Sequence, residues 1–369
     1  MSTLAQTVHR AAIDQITPYV PGKPIEEVAR ELGLDPQAII KLASNENPLG
    51  PSPRAVEAMR AHLHDVRLYP ETDGYPLRVA LADFLGVDKD QLTIGRGSDE
   101  VMHFLALAYL EEGDEVLMGD PPFSMYEIST KLMGATPVKV SLRDYAHDLP
   151  AMADAVTART KFIYVANPHN PTGAMNTADE LDAFLARVPE KVLVLLDEAY
   201  YEYVVREDYP DTLRYVREGR NVMVLRTFSK IYALAGLRVG YGICSRPEVL
   251  QAINQVREPF NTANFAQWAA IASLQDPDQV LRSRAANEEG KASLYAAFAR
   301  LGLPFVPTQS NFILVDTLQP CREVFVKLLQ QGVIVRTGDI FGYPTMIRVT
   351  IGSAAENARF IAALERALA

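Results

Sequence analysis

Short apolar runs alternate with amphipathic stretches along the chain from about residue 90. Helical periodicity predicts helices over Ser98–Leu110 and Ser124–Met133, and Glu115–Met118 between them predicts a strand. Thr177 and Glu180 have the spacing of a capping box at the start of another helix. Apolar runs without polar alternation are typical of strands that are buried on both faces of a mainly parallel sheet. Four such runs are Phe162–Val165, Val192–Leu196, Val222–Leu225 and Val239–Ile243.

The pattern therefore predicts an α/β domain with helices on both sides of its sheet. After Trp268 the sequence pattern changes: it predicts a long helix, three further apolar runs and two more helices. We interpret this part as a smaller α+β domain. The predicted division is an N-terminal arm over residues 1–40, which packs on the small domain or on a partner subunit, a large domain over 41–268 and a small domain over 269–369.

The charge of the chain limits its partners. Its 369 residues include 36 Lys and Arg against 46 Asp and Glu, which gives a formal net charge of -10, and 48% of the residues are hydrophobic. This apolar fraction is typical of a folded globular protein. The acidic balance argues against nucleic-acid binding, which needs a basic surface. An anionic substrate must be captured by a few local arginines, against the overall field.

The cysteine content and the N-terminus bear on location. Cys244 and Cys321 are too few for a disulfide framework and have no metal-ligand spacing around them, so we expect no metal site. Met1–Val20 mixes charged residues into its apolar ones and lacks a signal-peptide core. No apolar run is long enough to cross a bilayer. We therefore expect a soluble, cytoplasmic protein.

Polar clusters directly follow three of the predicted strands. These clusters are Asn167–Gly173, Asp197–Tyr200 and Thr227–Lys230. In open α/β sheets, ligands bind beyond the carboxyl ends of the strands, which is where these residues fall. Each cluster alone has an ordinary structural explanation. Their coincidence predicts a ligand site.

Each polar side chain in these clusters has two interpretations. Lys230 is either a solvated surface residue or, in its apolar context near Arg238, a desolvated amine nucleophile that attacks aldehydes. Asp197 is either a helix cap or part of a buried ion pair, or it is the counter-ion of a protonated ring nitrogen. Tyr200 offers a phenolic hydroxyl on the same side. Asn170 offers a further donor, although Asn-Pro-Thr-Gly is also an ordinary turn.

The segment Gly95–Glu100 follows a short predicted strand and opens a helix. Free backbone N–H groups and the helix dipole make such a start an anion site, but the third glycine of a dinucleotide fingerprint is missing. An ordinary helix start capped by Ser98 or Asp99 is compatible with such a site and is expected as well. With the hydroxyls of Thr227 and Ser229, the whole set matches what pyridoxal phosphate needs: an amine, a carboxylate, a phenol, an amide and a phosphate cup.

At this point the sequence resembles the fold-type I, pyridoxal-phosphate-dependent aminotransferases, and within them the histidinol-phosphate aminotransferase family. That resemblance implies an α/β fold with a large domain, whose mainly parallel sheet is flanked by helices, and a smaller α+β C-terminal domain. The motifs that carry it are spread over nearly the whole chain: Thr17–Lys23, Ser44–Pro48, Tyr69-Pro70, Gly74–Arg78, Gly95–Glu100, Asn167–Gly173, Asp197–Tyr200, Ser229-Lys230, Leu234–Arg238 and Ile347–Thr350.

The resemblance implies a role for each cofactor residue. Lys230 looks like the lysine that holds pyridoxal 5'-phosphate as a Schiff base, and Asp197 would pair with the pyridinium nitrogen. Tyr200 and Asn170 would bind the ring's phenolic oxygen, and Phe123 would stack on the ring where many relatives have Tyr or Trp. Lys230, Asp197 and Tyr200 would be the catalytic residues. The phosphate would be held by Ser98, Asp99, Thr227, Ser229 and Arg238.

Subunit contacts and substrate residues follow from the same resemblance. Tyr69 would reach across the interface of a homodimer to the neighbouring subunit's cofactor phosphate. Arg336 and Arg348 have an ordinary interpretation as solvated strand residues, which is weaker for Arg348 between Ile347 and Val349. In the family, arginines at these two positions bind the substrate phosphate, and the second also binds the carboxylate of glutamate. The predicted substrate-binding residues are Tyr19, Asn47, Arg336 and Arg348.

The implied reaction is ping-pong transamination of L-histidinol phosphate with 2-oxoglutarate, which gives imidazole acetol phosphate and glutamate and belongs to histidine biosynthesis. An aromatic amino-acid aminotransferase acting on phenylalanine or tyrosine is the nearest alternative. A decarboxylase of a phosphorylated amino acid is more distant. A cofactor-sensing regulator that binds DNA would need an N-terminal DNA-binding module and a basic surface. Only about forty residues precede the family's first core motif, and the net charge of the chain is acidic.

Overall fold

The computed structural model describes residues 9–19 and 21–369. Within them the α-helices are α1 (Ile25–Leu32), α2 (Pro53–Ala61), α3 (Tyr75–Leu85), α4 (Ser98–Tyr109), α5 (Ser124–Leu132), α6 (Leu149–Asp154), α7 (Ala178–Leu185), α8 (Thr212–Arg217), α9 (Pro247–Val256), α10 (Asn264–Leu274), α11 (Pro277–Arg300), α12 (Cys321–Leu329) and α13 (Ala354–Leu368). The strands are β1 (Ile40–Lys41), β2 (Leu92–Gly95), β3 (Glu115–Asp120), β4 (Thr136–Ser141), β5 (Thr160–Ala166), β6 (Leu193–Asp197), β7 (Val222–Thr227), β8 (Gly240–Cys244), β9 (Phe312–Asp316), β10 (Val333–Ile334), β11 (Arg336–Thr337) and β12 (Met346–Thr350).

A seven-stranded sheet in the order β2-β8-β7-β6-β5-β3-β4 forms the centre of the molecule. The pairs from β7 to β4 are parallel, whereas β8 is antiparallel to both β7 and β2. The sheet is therefore mainly parallel, as the apolar runs predict. Between β7 and β8 the chain has only a 3-10 helix, Ala235–Leu237, rather than the crossover helix that a parallel connection normally uses.

Both faces of this sheet are covered by helices. Along β5, Ile163 and Val165 belong to one buried apolar cluster and Phe162 and Tyr164 to another, because successive side chains of a strand point to opposite faces. β6 and β7 alternate between the same two clusters. The predicted α/β layering is confirmed. The pattern missed β4, since this edge strand is exposed or half-buried along its length and has no buried apolar run.

A second, antiparallel sheet in the order β11-β12-β9 lies in the C-terminal part. Its buried side chains share a cluster with α11, α12 and α13. One of the three apolar runs predicted after Trp268, Val333–Val335, is divided: β10 pairs with β1, and the chain then enters this second sheet as β11.

The N-terminal helix α1 packs on the C-terminal part, since Val28 and Ala29 share a small apolar cluster with Leu329 and Ile334. The predicted boundary at residue 268 falls inside α10, whose buried alanines lie in the cluster of the large sheet. The division into domains stays a prediction. In the part of the chain that the structure describes, no helix has both the length and the apolar character to cross a membrane.

Candidate active site

A cavity of about 280 Å³ lies where β5, β6 and β7 end and α4 begins. The expected convergence of the strand ends is therefore present. The predicted cofactor residues that line this cavity are Ser98, Asp99, Phe123, Asn170, Asp197, Tyr200, Thr227, Ser229, Lys230 and Arg238. Tyr69, predicted to act on a neighbouring subunit, is 80% exposed and stacks on Phe260 with a ring-centroid distance of 4.7 Å.

Lys230 projects its amine into the cavity from the loop after β7. Its Nζ donates a hydrogen bond to the Ser44 carbonyl oxygen at 3.2 Å and lies 5.5 Å from the centroid of the Tyr200 ring. The side chain is half-buried. A primary amine held by one backbone carbonyl beside an aromatic face is placed to condense with an aldehyde.

Asp197 ends β6 and is 7% exposed. Its Oδ2 accepts a hydrogen bond from the Tyr126 hydroxyl at 2.5 Å, and its Oδ1 accepts one from the Ala199 N–H at 3.1 Å. Burial raises the pKa of this carboxyl from 3.8 to about 6, although the Tyr126 hydrogen bond opposes the rise. The ion pairs of the described residues do not include Asp197. A buried carboxylate without a cation is costly, so the site is suited to a ligand that brings a positive charge.

Two further cavity side chains, those of Tyr200 and Asn170, are hydrogen-bonded to neighbouring residues. The Tyr200 hydroxyl accepts a hydrogen bond from Asn45 Nδ2 at 2.9 Å, and the Tyr200 side chain is buried. Asn170 Oδ1 accepts a hydrogen bond from Arg348 Nη1 at 2.5 Å. Their contact with a phenolic oxygen of the cofactor stays a prediction.

The start of α4 forms one end of the cavity. Its N-cap is Gly97, with φ +83° and no side-chain capping bond. The expectation that Ser98 or Asp99 caps the helix is therefore wrong, because both lie inside the first turn and the positive φ falls on a glycine. The first N–H groups of α4 have no side-chain cap, which leaves them to bind an anion.

Hydroxyl groups and one cation face this helix start. Thr227 Oγ1 donates a hydrogen bond to Ser229 Oγ at 3.0 Å, and Arg238 Nη1 donates to the same oxygen at 3.4 Å. Arg238 Nη2 also lies 3.5 Å from a carboxylate oxygen of Asp99. Burial raises the pKa of Asp99, which weakens its competition with a bound anion.

Arg336 and Arg348 line the same cavity from the small sheet. Arg348 is buried, and its Nη2 donates to the Ala43 carbonyl oxygen at 3.0 Å, while its Nε is buried without a hydrogen-bond partner among the described residues. Burial lowers the pKa of both guanidinium groups. Tyr19 is half-exposed, and its ring centroid lies 5.9 Å from the Arg336 guanidinium carbon.

Asn47 does not line this cavity. Its Nδ2 donates to the Ile231 carbonyl oxygen and to Ser283 Oγ, both at 2.8 Å, and its Oδ1 accepts from the Leu49 N–H. These bonds tie the N-terminal loop to α11, so the predicted substrate contact at Asn47 does not fit the geometry. Asn45, two residues earlier in the same motif, lines the cavity instead.

Sequence reasoning missed several cavity residues. Ser44 and Asn45 belong to a motif that the resemblance had already singled out, but the prediction named Asn47, which does not line the cavity. Phe341 ends the 3-10 helix Asp339–Phe341 and belongs to none of the motifs that carry the resemblance. Tyr126 follows Phe123 by three residues, one helical turn on, and only the packing of α5 on β5 and β6 brings it to Asp197.

Comparisons with known proteins agree with this architecture. The family model for aminotransferase class I and II matches residues 37–364. A histidinol-phosphate aminotransferase from Moorella thermoacetica is 55% identical over 361 residues, which cover 98% of this chain and 93% of that protein. A histidinol-phosphate aminotransferase 2 from Pseudomonas fluorescens is 47% identical over 357 residues, with 97% and 96% covered.

Among solved structures, that of histidinol-phosphate aminotransferase from Sinorhizobium meliloti in complex with pyridoxal-5'-phosphate superposes with a TM-score of 0.90. It is 29% identical, and the match covers 100% of this chain and 99% of that one. The predicted fold-type I class is therefore confirmed. With a family model that matches most of its length and relatives this similar, the chain belongs to the class I and II aminotransferases.

Proposed function

We propose that this chain transfers the amino group of L-histidinol phosphate to 2-oxoglutarate, with pyridoxal 5'-phosphate as its cofactor, and so forms imidazole acetol phosphate and glutamate. The observation that carries the proposal is the pair of buried arginines in the cavity wall, Arg336 and Arg348. Arg348 keeps an unpartnered Nε and makes no ion pair within the described residues. Buried guanidinium groups of this kind favour a phosphate or carboxylate ligand.

The residues of the cavity fit pyridoxal phosphate. The buried carboxylate of Asp197 suits a protonated ring nitrogen, and the uncapped start of α4 with Arg238 suits a phosphate. The amine of Lys230 suits an aldehyde. When bound, the cofactor supplies that aldehyde and an electron-withdrawing ring that accepts electrons from the substrate's α-carbon. The relative from Sinorhizobium meliloti was crystallised with this cofactor, which supports the assignment.

The side chains of the chain then act in a defined order. Substrate binding would free the Lys230 amine, whose Nζ would take the proton from the α-carbon of the donor and deliver it to the C4′ carbon of the cofactor. Asp197 keeps the ring nitrogen protonated throughout, because its carboxylate is buried and held by two hydrogen bonds. Phe123 and Tyr200 line the cavity, where Phe123 would cover the ring and the Tyr200 hydroxyl would bind its phenolic oxygen.

Substrate selection falls to the residues of the small sheet. Arg336 and Arg348 bind the phosphate of the amine donor, and Arg348 binds the carboxylate of glutamate and 2-oxoglutarate in the second half of the reaction. Tyr19 covers Arg336 from the solvent side. The names of the relatives from Moorella thermoacetica and Pseudomonas fluorescens support this choice of substrate.

We further propose that the active unit is a homodimer. The short segment 63–69 exposes four apolar side chains, Leu63, Val66, Leu68 and Tyr69, and the Tyr69 ring stacks on Phe260. Exposed apolar groups that lie together favour a protein interface. Tyr69 in this segment would reach the phosphate in the neighbouring subunit. Light scattering of the purified protein tests the assembly, and a monomer at micromolar concentration would contradict it.

A cytoplasmic location is also proposed. Cys244 and Cys321 are free and buried. Burial raises the pKa of the Cys244 thiol to about 11, so this side chain is an unreactive core residue. Two unpaired thiols suit a reducing compartment.

The test of the proposed reaction is a comparison of kcat/KM for L-histidinol phosphate and for phenylalanine, with cofactor-loaded protein and 2-oxoglutarate as acceptor. A strong preference for L-histidinol phosphate is expected. A preference for phenylalanine would instead identify an aromatic amino-acid aminotransferase and would overturn the substrate assignment while leaving the cofactor site unchanged.

A further inference from the structure

Tyr126 in α5 is a buried phenol that faces the Asp197 carboxylate. Its hydroxyl donates to Asp197 Oδ2 at 2.5 Å, and the side chain is 2% exposed. Its ring stacks on that of Tyr164 in β5 with a centroid distance of 4.1 Å and an interplanar angle of 2°. It also meets Phe123 edge to face at 5.5 Å. The donor is therefore fixed by packing on two sides.

The hydrogen bonds to Asp197 leave room for a ligand. A carboxylate offers about four acceptor positions. One is taken by the Tyr126 hydroxyl and another by the Ala199 N–H, on different oxygens. Together these two donors fix the plane of the carboxylate, so that its remaining lone pairs have a set direction.

Burial, nearby charges and hydrogen bonds shift the pKa of Asp197 in opposite directions. Burial, the carboxylate of Asp99 in α4 and that of Glu198 directly after β6 all raise its pKa. The Tyr126 hydroxyl is the strongest influence that lowers it, ahead of the Ala199 N–H. Burial and, after it, the charge of Asp197 raise the pKa of the Tyr164 phenol, whose hydroxyl makes no hydrogen bond to this carboxylate in the described residues. Without the Tyr126 hydroxyl, the ionised form of Asp197 would keep only the backbone donor.

We propose that Tyr126 is a positioning residue: its hydroxyl donates a hydrogen bond to Asp197, so that the carboxylate stays ionised and aims its free lone pairs at the ring nitrogen of the cofactor. The inference rests on the proposed function, because Asp197 needs this support only if a protonated ring nitrogen binds there. Tyr126 also contacts Phe123, so one side chain links the residue that binds the ring nitrogen to the residue that covers the ring.

Tyr126→Phe tests this role, since it keeps the stacked ring and removes only the hydroxyl. Tyr164→Phe is the matched control: it removes a hydroxyl from the other ring of the same stack and leaves the Tyr126–Asp197 bond in place. Binding of pyridoxal 5'-phosphate to the apoprotein is measured by absorbance titration between pH 6 and 9, and kcat and KM are measured for L-histidinol phosphate.

Tyr126→Phe is expected to weaken cofactor binding about tenfold near neutral pH, as for the loss of one hydrogen bond to an ionised group. The loss should shrink at high pH, where Asp197 ionises without help, and kcat should fall while KM changes little. Tyr164→Phe should bind like the parent protein. In an Asp197→Asn background, Tyr126→Phe should have little further effect, because residues that act through one another are not additive.

Three results would overturn the inference or its basis. Cofactor binding by Tyr126→Phe that matches the parent protein at every pH would refute the positioning role. Equal losses in Tyr126→Phe and Tyr164→Phe would refute it too, since they would show a packing effect alone. Failure of the parent apoprotein to bind pyridoxal 5'-phosphate would refute the proposed function and, with it, the role of Tyr126.

Discussion

Arg336 and Arg348 lie directly opposite each other in the antiparallel pair formed by β11 and β12. Side chains in such a position share one face of the sheet, with Cβ atoms about 4.5–5.5 Å apart, and like charges there repel. Burial lowers the pKa of both guanidinium groups, and the charge of Arg336 lowers that of Arg348 further. A doubly charged phosphate bound by both guanidinium groups would relieve this repulsion.

Arg336→Gln should therefore reduce activity mainly toward the substrate that carries a phosphate. We expect kcat/KM for L-histidinol phosphate to fall about 30- to 100-fold, as for the loss of hydrogen bonds to an ionised group. Phenylalanine, which has no phosphate, should lose much less. Steady-state kinetics with both donors checks this, and Arg300→Gln, an exposed arginine paired with Glu365, is the control for the change of charge. Equal losses for both donors would contradict a phosphate-binding role.

Lys230→Ala should abolish turnover while the protein still binds pyridoxal phosphate. The amine is the group that condenses with the aldehyde, whereas Asp197 and the start of α4 hold the cofactor without it. The absorbance band of the lysine-bound cofactor should disappear from the spectrum. Lys191→Ala, on the surface, should keep both the band and the activity. Turnover retained in Lys230→Ala would refute the catalytic role.

Asp197→Asn should inactivate the enzyme and yet stabilise the apoprotein at alkaline pH. The unfolded chain ionises this carboxyl near 3.8, but the folded protein does so only near 6. Stability is therefore lost as the pH rises through this window, and the deficit remains above it. The difference corresponds to roughly 3 kcal/mol at most.

Urea unfolding of the two apoproteins at pH 8 and pH 5 checks the sign of this effect. Asp197→Asn should show a higher free energy of unfolding at pH 8 and a smaller gain at pH 5. A gain that is the same at both pH values would show that the carboxyl does not titrate as described.

Gly240→Ala should distort the end of the cavity that is formed by the start of α4. A Cβ on Gly240 would lie 2.4 Å from the Ser98 backbone nitrogen and 2.6 Å from the Gly97 carbonyl carbon. Backbone atoms cannot rotate away, so the start of α4 must shift. We expect a loss of about 1–3 kcal/mol in the free energy of unfolding, typical of overpacking, together with weaker cofactor binding.

The matched control for this variant is Gly236→Ala in the 3-10 helix before β8, where an added Cβ would have no neighbour within 4 Å. Thermal unfolding and cofactor titration should leave Gly236→Ala close to the parent protein. Identical behaviour of the two variants would show that the close contact at Gly240 has no role in shaping the site.

Much of the fold follows from local pattern. Thr160–Ala166 and Val222–Thr227 form where uninterrupted apolar runs predict buried strands, and the capping box of Thr177 and Glu180 starts α7 at the predicted residue. These features depend on neighbours a few residues apart, so the sequence contains their full signal. β4 depends on an edge position in the sheet, which no local pattern reports.

The chemistry of the site was also present in the sequence: a lysine, an aspartate and two arginines, each recognisable from its type and its motif. Their relations to one another were decided only by the tertiary structure. The register of β11 and β12 sets Arg336 opposite Arg348, and the packing of α5 brings Tyr126 to Asp197. The loop before α2 turns Asn45 into the cavity and Asn47 away from it. Such contacts join residues far apart in the chain, and their geometry follows from how whole elements pack.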